Sequence, residues 1–111
     1  MTAFPNDENG EVLRRMESHG DDLSQPRDIE FEFVFETEKQ ASRFAESARV
    51  GRELKTEASI YEGRKIWQTK VTKFMLPTHQ GITSLEIALT ALAQRSGGKP
   101  DGWGCFQIDK Q

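Results

Sequence analysis

Residues 27–36 read RDIEFEFVFE, a run in which apolar and mostly acidic side chains alternate. Such alternation is typical of a β-strand with one buried and one solvated face, because successive side chains of a strand point to opposite sides. The buried face would carry Ile29, Phe31, Phe33 and Phe35, and the solvated face would carry Glu30, Glu32, Val34 and Glu36. We therefore predict a sheet that is covered on one side only.

A helix is predicted on each side of this strand. After it, TEKQASRFAESARVG begins with Thr37 and Gln40 at capping-box spacing and ends at Gly51. Before it, NDENGEVLRRMESHG has acids in its first turn and Gly20 at its end, but its apolar side is short. We expect this first helix to lie over a larger core.

The rest of the sequence predicts a hairpin, a third helix and a last strand. ELKTEASIYEGRKIWQTKVTKFML has the pattern of two strands joined at YEGRK, where Gly63 suits a tight turn. THQGITSLEIALTALAQRSGG has the pattern of a helix that ends at Gly97 and Gly98. Residues 100–102 would then turn the chain into a short final strand that begins at Trp103.

This order of elements, a helix followed by two strand-helix-strand units, predicts an α+β fold. Two split βαβ units form a ferredoxin-like sandwich, βαββαβ, with a four-stranded antiparallel sheet and two helices on one face, here with an extra N-terminal helix. The Phe-rich strand and the strand of Trp67 would be the central pair, which sets Glu30 and Glu32 near Lys70 for cross-strand ion pairs. With 111 residues, of which 35% are hydrophobic, we expect one domain over residues 1–111.

Composition argues against several classes of protein. No stretch approaches the roughly 18 apolar residues of a membrane span, and the first residues have no basic and then apolar leader, so we expect a cytoplasmic protein. Cys105 is the only cysteine, which precludes an intrachain disulfide, and His19 and His79 add too few ligands for a closed zinc site. We predict neither a metal nor a cofactor.

The net charge of −3 hides a segregation of charge along the chain. Residues 1–38 hold eleven acids and three bases, whereas residues 39–73 hold nine bases and four acids. Either the two halves neutralise one another across the fold, or they form a bipolar surface that steers a charged partner.

No combination of residues points to catalysis, and we expect no enzyme. Cys105 would need a histidine as its base, but its predicted place in a strand favours a buried, inert thiol. Asp21 and Asp22 lack the alternating ligand pattern of a calcium site, which favours a loop that hydrogen-bonds its own backbone. Direct RNA binding is not expected either, because the solvated sheet face offers Phe74 as its one aromatic side chain for stacking.

Three segments together carry a resemblance to a known family. They are NGEVLRRMESHGDDLSQPRDIEFEFVF, the run from Trp67 through Val71 to Pro77, and GGKPDGWGCF. They resemble the family called regulator of ribonuclease E activity B, over about residues 7–108. The most specific piece is DGWG, residues 101–104, and the next is GDDLSQPRDIEF.

The resemblance implies a non-enzymatic, ferredoxin-like protein of the bacterial cytoplasm with ribonuclease E as its protein partner. The best-known members restrain RNA cleavage by that enzyme and carry a long acidic C-terminal tail. In this sequence Asp109 is the only acid after Gly104. The expected docking surface is the acidic N-terminal third, because the excess of acids in residues 1–38 would attract an arginine-rich segment.

Eight residues are predicted to belong to the family motifs or to a partner-binding surface: Asp21, Asp22, Glu30, Glu32, Asp101, Gly102, Trp103 and Gly104. The alternative for Trp103 is structural, with the ring covering the core rim and the indole N–H meeting a partner. The alternative for the whole protein is a homo-oligomeric ferredoxin-like structural or ligand-binding domain without a ribonuclease partner, for example a homodimer through the open sheet face. That alternative would bury Val34 and Phe74 against a second copy.

Overall fold

The computed structural model describes residues 4–50, 54–61 and 66–110 of the chain. The described helices are α1 Glu8–Ser18, α2 Glu38–Arg49 and α3 His79–Arg95, and the described strands are β1 Arg27–Phe35, β2 Lys55–Tyr61, β3 Ile66–Met75 and β4 Lys99–Gly104. No helix within these ranges is both long enough and apolar enough to cross a membrane.

The four strands form one antiparallel sheet in the order β2-β3-β1-β4. This order, with the helices on one face, is the predicted ferredoxin-like arrangement, and β1 and β3 are the predicted central pair. Phe31 lies opposite Val71, and Glu32 lies opposite Lys70. The α+β prediction is therefore confirmed, including its strand pairing.

The apolar face of β1 forms the centre of the core. Its four side chains are at most 2% exposed: Ile29, Phe31, Phe33 and Phe35. The ring of Phe44 in α2 has its centre 4.9 Å from that of Phe33 and 5.4 Å from that of Phe35. α3 adds the buried side chains of Ile82 and Leu89. The helices thus cover the face that the alternation in β1 predicts to be buried.

The extra helix, α1, packs against α3 and buries Leu13 in the core. Asp7 caps its start, because the Asp7 carboxylate accepts a hydrogen bond from the Gly10 N–H at 2.8 Å. The same carboxylate lies 2.8 Å from Nε2 of His79, the first residue of α3. These hydrogen bonds, that of Gly10 first, hold the pKa of Asp7 below its usual value of 3.8. One side chain therefore joins the first turns of two helices.

The last strand differs from the prediction. β4 begins at Lys99 instead of Trp103 and ends at Gly104, so residues 100–102 belong to the sheet and do not form a turn. Cys105 lies just beyond the strand. The prediction was wrong because a proline followed by a glycine is typical of a turn, whereas an edge strand tolerates both.

A β-bulge explains how β4 accommodates these residues. Glu32 lies opposite Gly102 and Phe33 lies opposite Pro100, which leaves Asp101 as the extra residue. Gly102 has a φ of 108°, a conformation that other residues rarely adopt.

Val34 is a second correction. Predicted for the solvated face of β1, it is 9% exposed and therefore buried. In register it lies between Gln68 of β3 and Lys99 of β4, so it is in a central strand with a neighbouring strand on each side.

The predicted glycine ends of two helices are confirmed by positive φ angles, 91° at Gly20 and 84° at Gly97. The capping box of α2 is also confirmed, with both hydrogen bonds between Thr37 and Gln40 present. The predicted helix end at Gly51 and the hairpin turn at Gly63 lie outside the described residues.

Candidate protein-interaction surface

A buried ion pair occupies the loop between α1 and β1. Arg27 donates a hydrogen bond from Nη1 to Oδ2 of Asp21 at 2.8 Å, and the two side chains are 5% and 1% exposed. Asp21, predicted as a possible partner-binding residue, is thus in the interior, where its carboxylate neutralises a buried guanidinium.

The same guanidinium donates hydrogen bonds to three backbone carbonyls, which belong to two segments of the chain. Its Nη1 also donates to the carbonyl of Phe106, and its Nη2 donates to the carbonyls of Asp22 and Gln25. Backbone hydrogen bonds from Asp22 to Ile108 and from Lys110 to Gly20 run alongside. The loop after α1 and the segment after β4 therefore form one structural unit.

Asp22 stabilises the turn that follows it. Its Oδ1 accepts hydrogen bonds from the Ser24 hydroxyl at 2.6 Å and from the Ser24 N–H at 3.1 Å. These bonds, that of the hydroxyl first, lower the pKa of Asp22 below 3.8. Asp22 thus shows the predicted bonding of a loop to its own backbone. Within residues 4–50, 54–61 and 66–110, no cluster of three His, Cys, Asp or Glu side chains has the arrangement of a metal site.

The remaining six predicted site residues meet where β1 pairs with β4. Glu30 lies opposite Gly104, and Glu32 lies opposite Gly102. Because glycine has no side chain, these two carboxylates have no covering group on the β4 side. On the other side, Lys70 of β3 brings its Nζ to 3.6 Å from Glu30, the predicted kind of cross-strand ion pair. The outer face of the sheet is therefore acidic along β1.

Trp103 lies on the opposite face, across from Phe31, and packs against the core. Its indole N–H donates to Oδ1 of Asn9 in α1 at 2.9 Å. The Asn9 amide in turn donates to Thr83 and to Glu86 of α3, each at 3.0 Å. One asparagine thus joins α1, α3 and β4, and Trp103 makes the two contacts that its structural interpretation predicts, with the core and with a partner for the indole N–H.

An open cleft lies beside this junction, between α1, α3 and β4. We call it the Trp103 cleft, and its volume is about 460 Å³. Its lining consists of Glu8, Asn9, Val12, Glu86 and residues 100–103. Three of these residues are acids, namely Glu8, Glu86 and Asp101, and none is a base.

A second groove continues from this cleft along α3. The Ile87 groove has a volume of about 420 Å³ and is lined by Glu86, Ile87, Thr90, Ala91, Gln94 and Pro100. Glu86 and Pro100 line both cavities, so the two adjoin each other. Ile87 is 66% exposed, so most of its apolar side chain faces the groove or solvent.

Cys105 is half-buried, and burial raises the pKa of its thiol. A thiol with a raised pKa is a weak nucleophile at neutral pH, as expected of a structural cysteine.

Two residues of these sites escaped the sequence analysis, Arg27 and Asn9. A signal for Arg27 is present in the alternation itself, because residue 27 shares the odd-numbered face with Ile29 and Phe31. An arginine on a buried face requires a carboxylate partner, and acids stand nearby at positions 21 and 22. Asn9 gives no such signal, since it resembles any polar residue in a first helical turn.

Comparisons with known proteins show the family. No curated protein matches the chain. The crystal structure of a C-terminal segment of the alpha subunit of aIF2 from Pyrococcus abyssi is similar over 78% of this chain and 52% of that chain, at 13% identity and a TM-score of 0.33, so this chain spans about half of that segment. A likeness this weak carries no argument. Residues 6–105 match the family RraB, regulator of ribonuclease activity B. Since the match takes in all seven described helices and strands, the chain belongs to the RraB family of regulators of ribonuclease activity.

Proposed function

We propose that this protein is a non-enzymatic regulator of the bacterial cytoplasm that binds ribonuclease E, or a related RNA-decay component, and modulates its cleavage of RNA. The observation that carries the proposal is the family match over residues 6–105. Regulation by a protein of this kind works through protein contacts, since binding alone can block or redirect the enzyme.

The acidic strip along β1 supports a basic partner. Asp28 is exposed, and Glu30 and Glu32 are partly exposed on the outer face of the sheet. Charges that lie together on one surface raise the rate of encounter with a partner of opposite charge. An arginine-rich segment of a partner protein would have that charge.

A pull-down from cell extract and a cleavage assay test this function. Tagged protein should enrich ribonuclease E at low salt and less strongly at moderate salt, because exposed charges are screened. Added to purified ribonuclease E, the protein should change the rate at which the enzyme cleaves a labelled RNA. If neither enrichment nor a change in cleavage is found, the assignment of the partner is wrong.

A second candidate, self-association through the outer sheet face, is favoured by Phe74, which is 65% exposed on that face. Val34 is already buried within the chain and is not available to a second copy. Light scattering of the protein at tens of micromolar tests this second candidate. A dimer supports self-association, and a monomer argues strongly against it.

A further inference from the structure

The Trp103 cleft is shaped and charged for a side chain from another molecule. Three carboxylates line it, and none of them forms an ion pair with any residue in the part of the chain that the structure describes. Glu86 is engaged through one oxygen by the neutral Asn9 amide. Its charge therefore remains uncompensated.

Beside its carboxylates, the cleft has two apolar ring surfaces, and one of them is held in place. Trp103 and Pro100 line it, and the indole N–H bond to Asn9 fixes the Trp103 ring. A planar guanidinium can stack on such surfaces while its N–H groups donate to carboxylates, whereas a lysine ammonium is a compact and more strongly hydrated charge. The chemistry of the cleft thus favours arginine over lysine.

The Ile87 groove adds an apolar requirement. Since it shares Glu86 and Pro100 with the cleft, one short segment can place a charged side chain in the cleft and a neighbouring side chain in the groove. Ile87 would be covered by an apolar side chain of that segment, which removes apolar surface from water.

We propose that the Trp103 cleft binds an arginine side chain of a protein partner, while a neighbouring apolar side chain of the same segment occupies the Ile87 groove. This inference deepens the proposed function and rests on its claim that the partner is a protein. It assigns the contact to the helix side of β4, a different surface from the acidic strip on β1.

The test uses three labelled synthetic dodecapeptides, rich in arginine and leucine, in lysine and leucine, and in arginine and serine. The arginine–leucine peptide should bind most tightly by fluorescence anisotropy. The double variant Glu8→Gln, Asp101→Asn should weaken its binding about fivefold, as expected for two partly exposed ion pairs. The matched control Glu46→Gln, Glu57→Gln loses the same charge on α2 and β2, beside the opposite sheet edge, and should bind as the wild type does.

The location is tested by NMR. On titration of labelled protein with the arginine–leucine peptide, the resonances of Glu86, Ile87 and the Trp103 indole N–H should move. The inference is wrong if only the resonances of Glu30, Glu32 and Lys70 move. It is also wrong if all three peptides bind equally tightly.

The same variants separate this inference from the proposed function. If ribonuclease E binds the cleft variant and the control variant equally well, the cleft assignment is wrong and the proposed function stands. If the peptide binds in the cleft but ribonuclease E does not bind the protein, the cleft assignment stands and its partner is another protein.

Discussion

At the scale of single residues, two side chains that sequence analysis passed over hold the family motifs together. Arg27 uses one guanidinium to join the loop after α1 to the segment after β4. Asn9 uses one amide to join Trp103 to α3. The DGWG motif therefore has a structural explanation, since its tryptophan is anchored to the first helix.

Replacing Asp21 by asparagine should lower the free energy of unfolding by about 3 kcal/mol, because the Arg27 charge would remain buried without a neutralising partner. Urea unfolding followed by circular dichroism measures this change. Asp22→Asn is the control, because asparagine keeps an acceptor for Ser24 in an exposed turn. The urea midpoint of this variant should stay near that of the wild type. Equal loss in both variants would show that the buried ion pair is not what stabilises this loop.

Replacing Trp103 by phenylalanine removes the indole donor and should cost about 1 kcal/mol from the lost hydrogen bond alone. Because Asn9→Ala removes the acceptor of the same bond, the double variant should cost less than the sum of the two single variants. The three variants and the wild type form a cycle that thermal unfolding can measure. Strict additivity would contradict a structural link between Trp103 and Asn9.

At the scale of elements, alternation and capping patterns were sufficient to predict helices and strands but not the last strand. In β1 the acids and phenylalanines alternate, and in α2 the cap is local, so neighbouring residues contain the information. β4 depends on a distant partner: its bulge and its pairing with β1 are set by tertiary contacts. The cleft was likewise not predictable, because it brings together residues 8, 86 and 101.

The junction between α3 and β4 makes a prediction about Gly98. A Cβ atom added there would lie 2.2 Å from the ring of Phe35, which is only 2% exposed and packed against Phe44. Gly98→Ala should therefore destabilise the protein by about 1–3 kcal/mol through overpacking.

Gly104→Ala, at the other end of β4, is the matched control, because a Cβ there meets nothing within 4 Å. Its thermal midpoint should be close to that of the wild type. If Gly98→Ala is tolerated equally well, the ring of Phe35 can move and the junction is looser than its packing indicates.

At the scale of the whole molecule, the acidic and basic parts of the chain meet at the centre of the sheet. β1 contributes acids to the outer face, and β3 contributes Lys70, which pairs with Glu30. Charge neutralisation is limited to the pairing of β1 with β3. On the β4 side Glu32 lies opposite Gly102, which has no side chain, and Asp28 is exposed to solvent. The ion pair supports neutralisation between β1 and β3, and steering of a charged partner by the remaining acids of β1 stays a prediction.

If the acidic strip on β1 steers a basic partner, association with ribonuclease E should slow as salt is added. The Debye length falls from about 10 Å at 0.1 M salt to about 3 Å at 1 M, and we expect the association rate constant to fall about tenfold over this range. Dissociation should change less, because contacts already formed are less screened. Stopped-flow measurements with Glu30→Gln, Glu32→Gln should give a shallower salt dependence. The control Glu38→Gln, Glu46→Gln removes two exposed acids of α2, on the helix side of the sheet, and should keep the salt dependence of the wild type. An equal change of slope in both variants would assign the steering to the net charge of −3 and not to the acidic strip.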